Sequence, residues 1–185
     1  MRAFESRYGL AAVAGGRHPG VGTANAIVPL GGAQYLELIA VVDEAEVQRD
    51  PLRRRLLDLV RDGQTFGTWV LRAETLDNLD EVVPIGAVVD GSRARPDGTQ
   101  LTWRSAYPRD MLSGTGLPFF ITWASAEHPG DGPVRRRVER VTVEDSEDGP
   151  VRALLSAIDV DVEIEVVPGS EPRLVALELE GLTIR

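Results

Sequence analysis

The sequence predicts an α+β protein built from tandem β-α-β-β-β modules. Two observations carry that prediction. From Phe66 onward the chain reads strand, helix, strand, strand, strand, with turn residues between them. The stretch before it reads helix, strand, strand, strand, the same unit with its first strand missing. Element order recurs while residue identities hardly do, so the repeat is structural.

Arg2 to Tyr8 reads as the end of a helix, closed by Gly9 as its C-cap. Leu10 to Ala14 is a short apolar strand. The glycines and proline of "GGRHPGVGTAN" predict a loop without regular structure. Ala24 to Leu30 reads as a strand, Gly31-Gly32 as a two-residue hairpin, and Gln34 to Val42 as the returning strand. A helix follows in "DPLRRRLLDLVRDG". Asp50 is its N-cap, Pro51 stands at the first helical position, and Leu52, Leu56, Leu59 and Val60 form its apolar stripe.

The second module reads "FGTWVLRA" as a strand and "ETLDNLDEVV" as a helix. The strands "IGAVVDGSRAR" and "TQLTWRSAY" flank a turn at Pro96-Asp97-Gly98, and "LPFFITWAS" is the fourth strand. A third, partial pass follows: "RVERVTVE" strand, "GPVRALLSAI" helix, "VDVEIEVV" and "PRLVALEL" strands, and "GLTIR" a last short strand. The alternation of apolar and acidic residues in "VDVEIEVV" marks a strand with one wet face.

Composition excludes several functions. The 185 residues suffice for one domain with a real core. The net charge of -9 disfavours nucleic-acid phosphates as partners, and Arg135-Arg136-Arg137 reads as a solvated strand edge. No apolar run reaches the ~18–20 residues of a membrane span. Cysteine is absent, which excludes disulfides and thiolate catalysis and fits a cytoplasmic protein. All 20 basic residues are arginine, so lysine Schiff-base chemistry and a P-loop lysine are excluded. Neither a nucleophile elbow nor a dinucleotide-binding glycine motif is present.

Glu37 is the residue that asks for an explanation. It sits inside the apolar strand "QYLELIAVV", where an unpaired ionised carboxylate would cost several kcal/mol, roughly, to bury. Alternation puts Tyr35, Glu37, Ile39 and Val41 on one face. Leu36, Leu38, Ala40 and Val42 form the other, an apolar face expected to pack on helices. Glu37 is either the polar group of a pocket or half of an internal ion pair with Arg17 or Arg104. Asn25 on the neighbouring strand either holds the Glu37 carboxylate or a ligand, or shapes the strand entry together with Thr23. His18 and His128, the only imidazoles, both stand in His-Pro-Gly tripeptides. Each is either a ligand-binding group or a turn cap whose ring bonds a nearby backbone group. Trp123 either floors a pocket or is core. Arg104 either meets a substrate carboxylate or lies on the surface.

The stretch "GGRHPGVGTANAIVPLGGAQYLELIAV", with "RPDGTQLTWR" and "LPFFITWASAEHPG", resembles the glyoxalase-like branch of the vicinal oxygen chelate superfamily. That superfamily includes glyoxalase I, extradiol dioxygenases and bleomycin-resistance proteins. The resemblance implies one glyoxalase-like domain over 1–185, with module one at about 1–62 and module two at about 63–130. A C-terminal βαββ extension would cover about 131–185. It also implies a cupped mixed sheet with helices outside, and in active relatives a divalent metal whose ligands come from the first and fourth strands of each module. Glu37 matches a carboxylate ligand position. Thr122 matches it in the second module, or Ile121 if the register shifts by one; the second module's first strand offers only Thr68 and Trp69, and the first strand of module one, with its ligand position, is missing. A strand containing an Asp-His pair is expected upstream of Met1.

The function expected is therefore a small-molecule cavity with Glu37 as its central polar group, and Asn25, His18, Arg104, Thr122 and Trp123 around it. The alternative is a metal-dependent lyase, isomerase or dioxygenase-like enzyme. It would hold zinc, nickel, manganese or iron on Glu37 and His18, with His128 as a further donor. A small organic ligand and a homodimer are the partners expected, with neither nucleic acid nor membrane.

Overall fold

The computed structural model describes residues 1–94, 98–109, 111, 116–125, 127–131 and 135–185. Pro96 and Asp97 of the expected turn lie outside the described residues, as do the side chains of Pro51 and Leu52 in the third helix. Contacts divide the chain into two compact units. One comprises residues 1–63, 92–102 and 124–137, the other 64–91, 103–123 and 138–185.

The described residues form eleven strands in three sheets, with few helices. The first sheet has the order β1-β2-β3, from Val13–His18, Thr23–Gly31 and Gln34–Val41. Helix α1 (Arg2–Tyr8) precedes it and ends, as its sequence predicts, at Gly9 with a φ of 66°. The hairpin loop is Gly32-Ala33 rather than Gly31-Gly32. Both residues have positive φ, as a right-twisted two-residue hairpin requires.

The expected loop at Gly15 to Asn25 is largely strand. Residues Gly15 to His18 belong to β1 and Thr23 to Asn25 to β2, so only Pro19 to Gly22 turn. The glycines make a β-bulge instead. Ala14 faces Ala26 and Arg17 faces Ala24, which leaves Gly15 and Gly16 opposite Asn25 alone.

After β3 comes a short helix that sequence patterning missed, α2 (Glu44–Val47), whose N-cap Asp43 accepts from the Glu46 amide. Helix α3 (Pro51–Arg61) buries Leu57 and Leu59, while Val60 of the expected stripe is 55% exposed. A groove of about 560 Å³ lies between α3 and the end of β3. Its lining includes Ile39, Ala40, Val42, Leu57 and Val60.

The second sheet has the order β4-β7-β6-β5, from Val70–Arg72, Phe119–Trp123, Gln100–Pro108 and Ile85–Ala94. Strands β4 and β7 are parallel, so this sheet holds all four strands of the expected unit, the first covering the edge of the fourth. The helix expected over "ETLDNLDEVV" shrinks to a 3₁₀ turn, Leu79–Glu81. Two local features break it. The Asp77 amide donates to the Thr75 hydroxyl, and Asn78 takes a left-handed φ of 63° that no right-handed helix tolerates.

The third sheet has the order β11-β10-β8-β9, from Leu182–Ile184, Arg173–Leu179, Val138–Asp145 and Glu163–Pro168. Helix α4 (Pro150–Leu155) connects β8 to the parallel strand β9. Its elements follow the expected sequence. Its strand order differs from the second sheet, because β8 lies inside between β10 and β9 rather than at an edge. The fully buried Asp145 accepts from the Ser146, Val151 and Arg152 amides and so satisfies the first turn of α4.

Candidate functional site

The bulge in β1 decides which side chains meet Glu37. In an unbroken strand His18 would fall on the face opposite that of Val13. With the bulge, Val13 pairs with Ile27 and His18 pairs with Thr23, so both lie on the face of Thr23, Asn25 and Ile27. Strand β3 contributes Tyr35, Glu37, Ile39 and Val41 to that same face, opposite Pro29, Ile27, Asn25 and Thr23. The exposed Arg17 alternates away, so of the two neighbours His18 faces the carboxylate.

Asn25 Nδ2 donates to Glu37 Oε1 at 2.5 Å, and Asn25 Oδ1 accepts from the Gly16 amide at 2.9 Å. The Asn25 side chain thus ties the bulge to the carboxylate. Gly15 leaves room for it: a Cβ there would lie 1.9 Å from Asn25 Oδ1. His18 Nδ1 pairs with Thr23 Oγ1 at 2.8 Å, and His18 Nε2 stands 3.9 Å from Glu37 Oε1. The Glu37 side chain is 33% exposed. Its burial problem is therefore solved by partial exposure and by a hydrogen bond.

The field at this face is mixed. Burial holds His18 below its ordinary pKa, Glu37 opposes that shift, and Arg93 and Arg53 reinforce it. Burial, and then Glu37, push the Tyr35 phenol well above its ordinary range, while Arg93 acts the other way. At neutral pH the imidazole and phenol are both uncharged.

Arg93, at the end of β5, was not among the sequence candidates. It is 7% exposed and lies against the bulge, with Nη1 2.9 Å from the point a Gly15 Cβ would occupy. The signal available in the sequence was weak, one of two alternating arginines in "GSRAR".

The other candidates are placed as follows. His128 is buried. Its Nδ1 accepts from the Gly130 amide at 3.0 Å and its ring packs edge-on against Tyr35 at 5.4 Å. Its own amide donates to Asp131 Oδ2. This is the turn-capping role its Pro-Gly context suggests, and it makes Nε2 the protonated nitrogen of the neutral ring. In the other unit, Arg104 pairs with Asp90 at 3.3 Å, both well exposed. Thr122 Oγ1 donates to the Glu74 carbonyl at 3.4 Å. Trp123 pairs across strands with Trp103, the rings 5.3 Å apart, and Gly91 makes room for Trp103.

A divalent metal would find two donors here, His18 Nε2 and Glu37 Oε1. Zinc centres use three or four protein ligands. Among the described residues no group of three or more His, Asp or Glu could hold a metal ion, so the described donors do not by themselves fit a metal centre.

No described helix is long and apolar enough to cross a membrane. No curated protein matches the sequence. The structure is similar to that of a hypothetical protein from Staphylococcus aureus, at 16% identity and a TM-score of 0.67, over 88% of this chain and 79% of that one. Residues 1–158 match the family model of the glyoxalase-like domain. With the four-stranded sheet β4-β7-β6-β5 and the sheet that carries Glu37, the chain belongs to the glyoxalase-like domain family of the vicinal oxygen chelate superfamily.

Proposed function

We propose that this protein binds a small organic molecule on the face of the first sheet, with Glu37 as the central polar group and without a metal. The observation that supports this is the Glu37 carboxylate itself. It is partly open to solvent, oriented by Asn25 and flanked by an uncharged imidazole. Among the described residues the Asn25 and His18 contacts both fall on Oε1, which leaves Oε2 as an acceptor for a ligand N–H or O–H. His18, held through Thr23, presents Nε2 beside it. Such a group of convergent polar atoms on a partly apolar surface is what small-molecule sites share.

Ligand-observed NMR with a fragment library tests this reading. Fragments carrying a donor group should bind the native protein and lose their signal with Glu37→Gln. Fragments that bind both forms equally, or none that bind at all, would count against it.

A second reading is favoured by one distance, the 3.9 Å between His18 Nε2 and Glu37 Oε1. In it, both residues are ligands of a divalent metal in a lyase, isomerase or dioxygenase-like enzyme. That reading needs further ligands beyond the described donors. A homodimer belongs to either reading. Among the described residues no strand pairs with the outer edge of β3, whereas β4 covers the corresponding edge of β7. Sedimentation equilibrium checks it: a monomer mass at micromolar concentration would exclude the dimer.

A further inference from the structure

We infer that Arg93 recognises an anionic group, a carboxylate or its isostere, on the small molecule bound beside Glu37. The inference rests on the binding reading above and names the chemical class of its ligand. Arg93 is more than nine-tenths buried, and none of the hydrogen bonds or ion pairs between described residues engages its guanidinium, whose nitrogens are not among the fully enclosed polar atoms. A guanidinium stays charged in a protein, and a charge on a side chain this far out of water gains from an anionic partner. The ligand supplies that partner.

The geometry places the guanidinium where such a partner would sit. Arg93 Nη1 and Asn25 Oδ1 approach the same point above Gly15, at 2.9 and 1.9 Å. Asn25 in turn holds Glu37. The Arg93 Cγ and Cδ atoms pack on Gly16, each 3.4 Å from its Cβ position, so both bulge glycines give the arginine its channel. Its charge reaches His18 and Tyr35 on the same face. A ligand that spans the face would thus meet a fixed cation at one end and a carboxylate acceptor at the other. The two ends demand opposite chemistry: an acid group for Arg93 and an N–H or O–H donor for Glu37. A planar guanidinium suits a carboxylate in particular, since its paired donors match the two oxygens. The protein's net charge of -9 disfavours an approaching anion, which a local cation offsets.

The test uses mandelate and its neutral amide, which share a hydroxyl donor and differ in the charged group. Each is titrated into protein labelled with ¹⁵N-arginine, and the Arg93 Nε–H signal is assigned by its disappearance in Arg93→Lys. Mandelate should bind and shift the Arg93 signal. The amide should bind roughly tenfold or more weakly, the size of a lost charge-assisted hydrogen bond. Arg93→Gln should abolish that preference, and sulfate should compete with mandelate but not with the amide in the native protein. The sulfate arm reads out without any variant, should Arg93→Gln fail to fold. Equal binding of acid and amide, or an acid preference that survives Arg93→Gln, would overturn the inference. If both then still depend on Glu37, the Glu37 reading stands alone. Failure of both compounds to bind overturns the inference and counts against the reading as well.

Discussion

Asn25 donates to Glu37 across adjacent strands while accepting from the Gly16 amide within the bulge. The two residues are diagonal neighbours: Asn25 faces Ile39, and Glu37 faces Ile27. One amide side chain therefore fixes both a backbone irregularity and the rotamer of an acid. Asn25→Ala should leave the Gly16 amide without its partner and the carboxylate unoriented. The expected loss of stability is about 1–2 kcal/mol, measured as a lower urea midpoint at unchanged slope. A midpoint equal to that of the native protein would show that the bulge holds itself.

The two bulge glycines should differ sharply. A methyl group at Gly15 would collide with Asn25 Oδ1 and Cγ, so Gly15→Ala has to displace the side chain that holds Glu37. Overpacking of that kind costs about 1–3 kcal/mol. At Gly16 the nearest atoms are the Arg93 side-chain carbons at 3.4 Å, an ordinary contact, and Gly16→Ala should be much milder. Thermal melts of the pair check the contrast; similar losses at both sites would contradict it.

His18 should make stability depend on pH. Its folded pKa lies below the ordinary value of 6.5, chiefly through burial, so the unfolded chain binds the proton first as pH falls. The contribution is intact above about pH 6.5. It is lost progressively between that value and the folded pKa, where the folded form also takes up the proton. His18→Gln should remove this part of the slope. Urea midpoints at about pH 7.5 and pH 5.5 for both proteins measure it, and identical slopes would remove His18 as the cause.

Asp145 should matter in the other unit for a purely structural reason. It is fully buried and satisfies amides at the start of α4. Asp145→Ala leaves those donors unpaired and should cost about 2 kcal/mol, the upper range for a lost helix cap. Ligand binding at the Glu37 face should be unaffected, which NMR titration of the same variant would verify.

Elemental analysis of the purified protein should find far less than one divalent metal per chain, because the described donors stop at His18 and Glu37. About one zinc, nickel, manganese or iron per chain, lost in Glu37→Ala, would establish the metal-dependent reading instead.

Much of this molecule was legible before its structure. Local rules located α1 and its Gly9 cap, the β2–β3 hairpin within a residue, and all five elements after Arg137. Strand alternation alone put Tyr35, Glu37, Ile39 and Val41 on one face, and the register agrees. These depend on interactions within a turn or two of chain, where sequence spacing is also spatial spacing. The helix expected at residues 74–83 failed for a local reason too, the competing Thr75 bond and the left-handed Asn78.

What only the tertiary structure decided is the company Glu37 keeps. The bulge depends on how β1 pairs with β2, and it inverts the alternation that would have turned His18 away. Arg93 reaches the same face from a strand more than fifty residues distant in the chain. The strand order of the third sheet is likewise a matter of pairing, since the same element order builds a different sheet there. Sequence patterns set which side of a strand a residue takes. Pairing between distant strands, through hydrogen bonds no local window contains, determines which residues share that side.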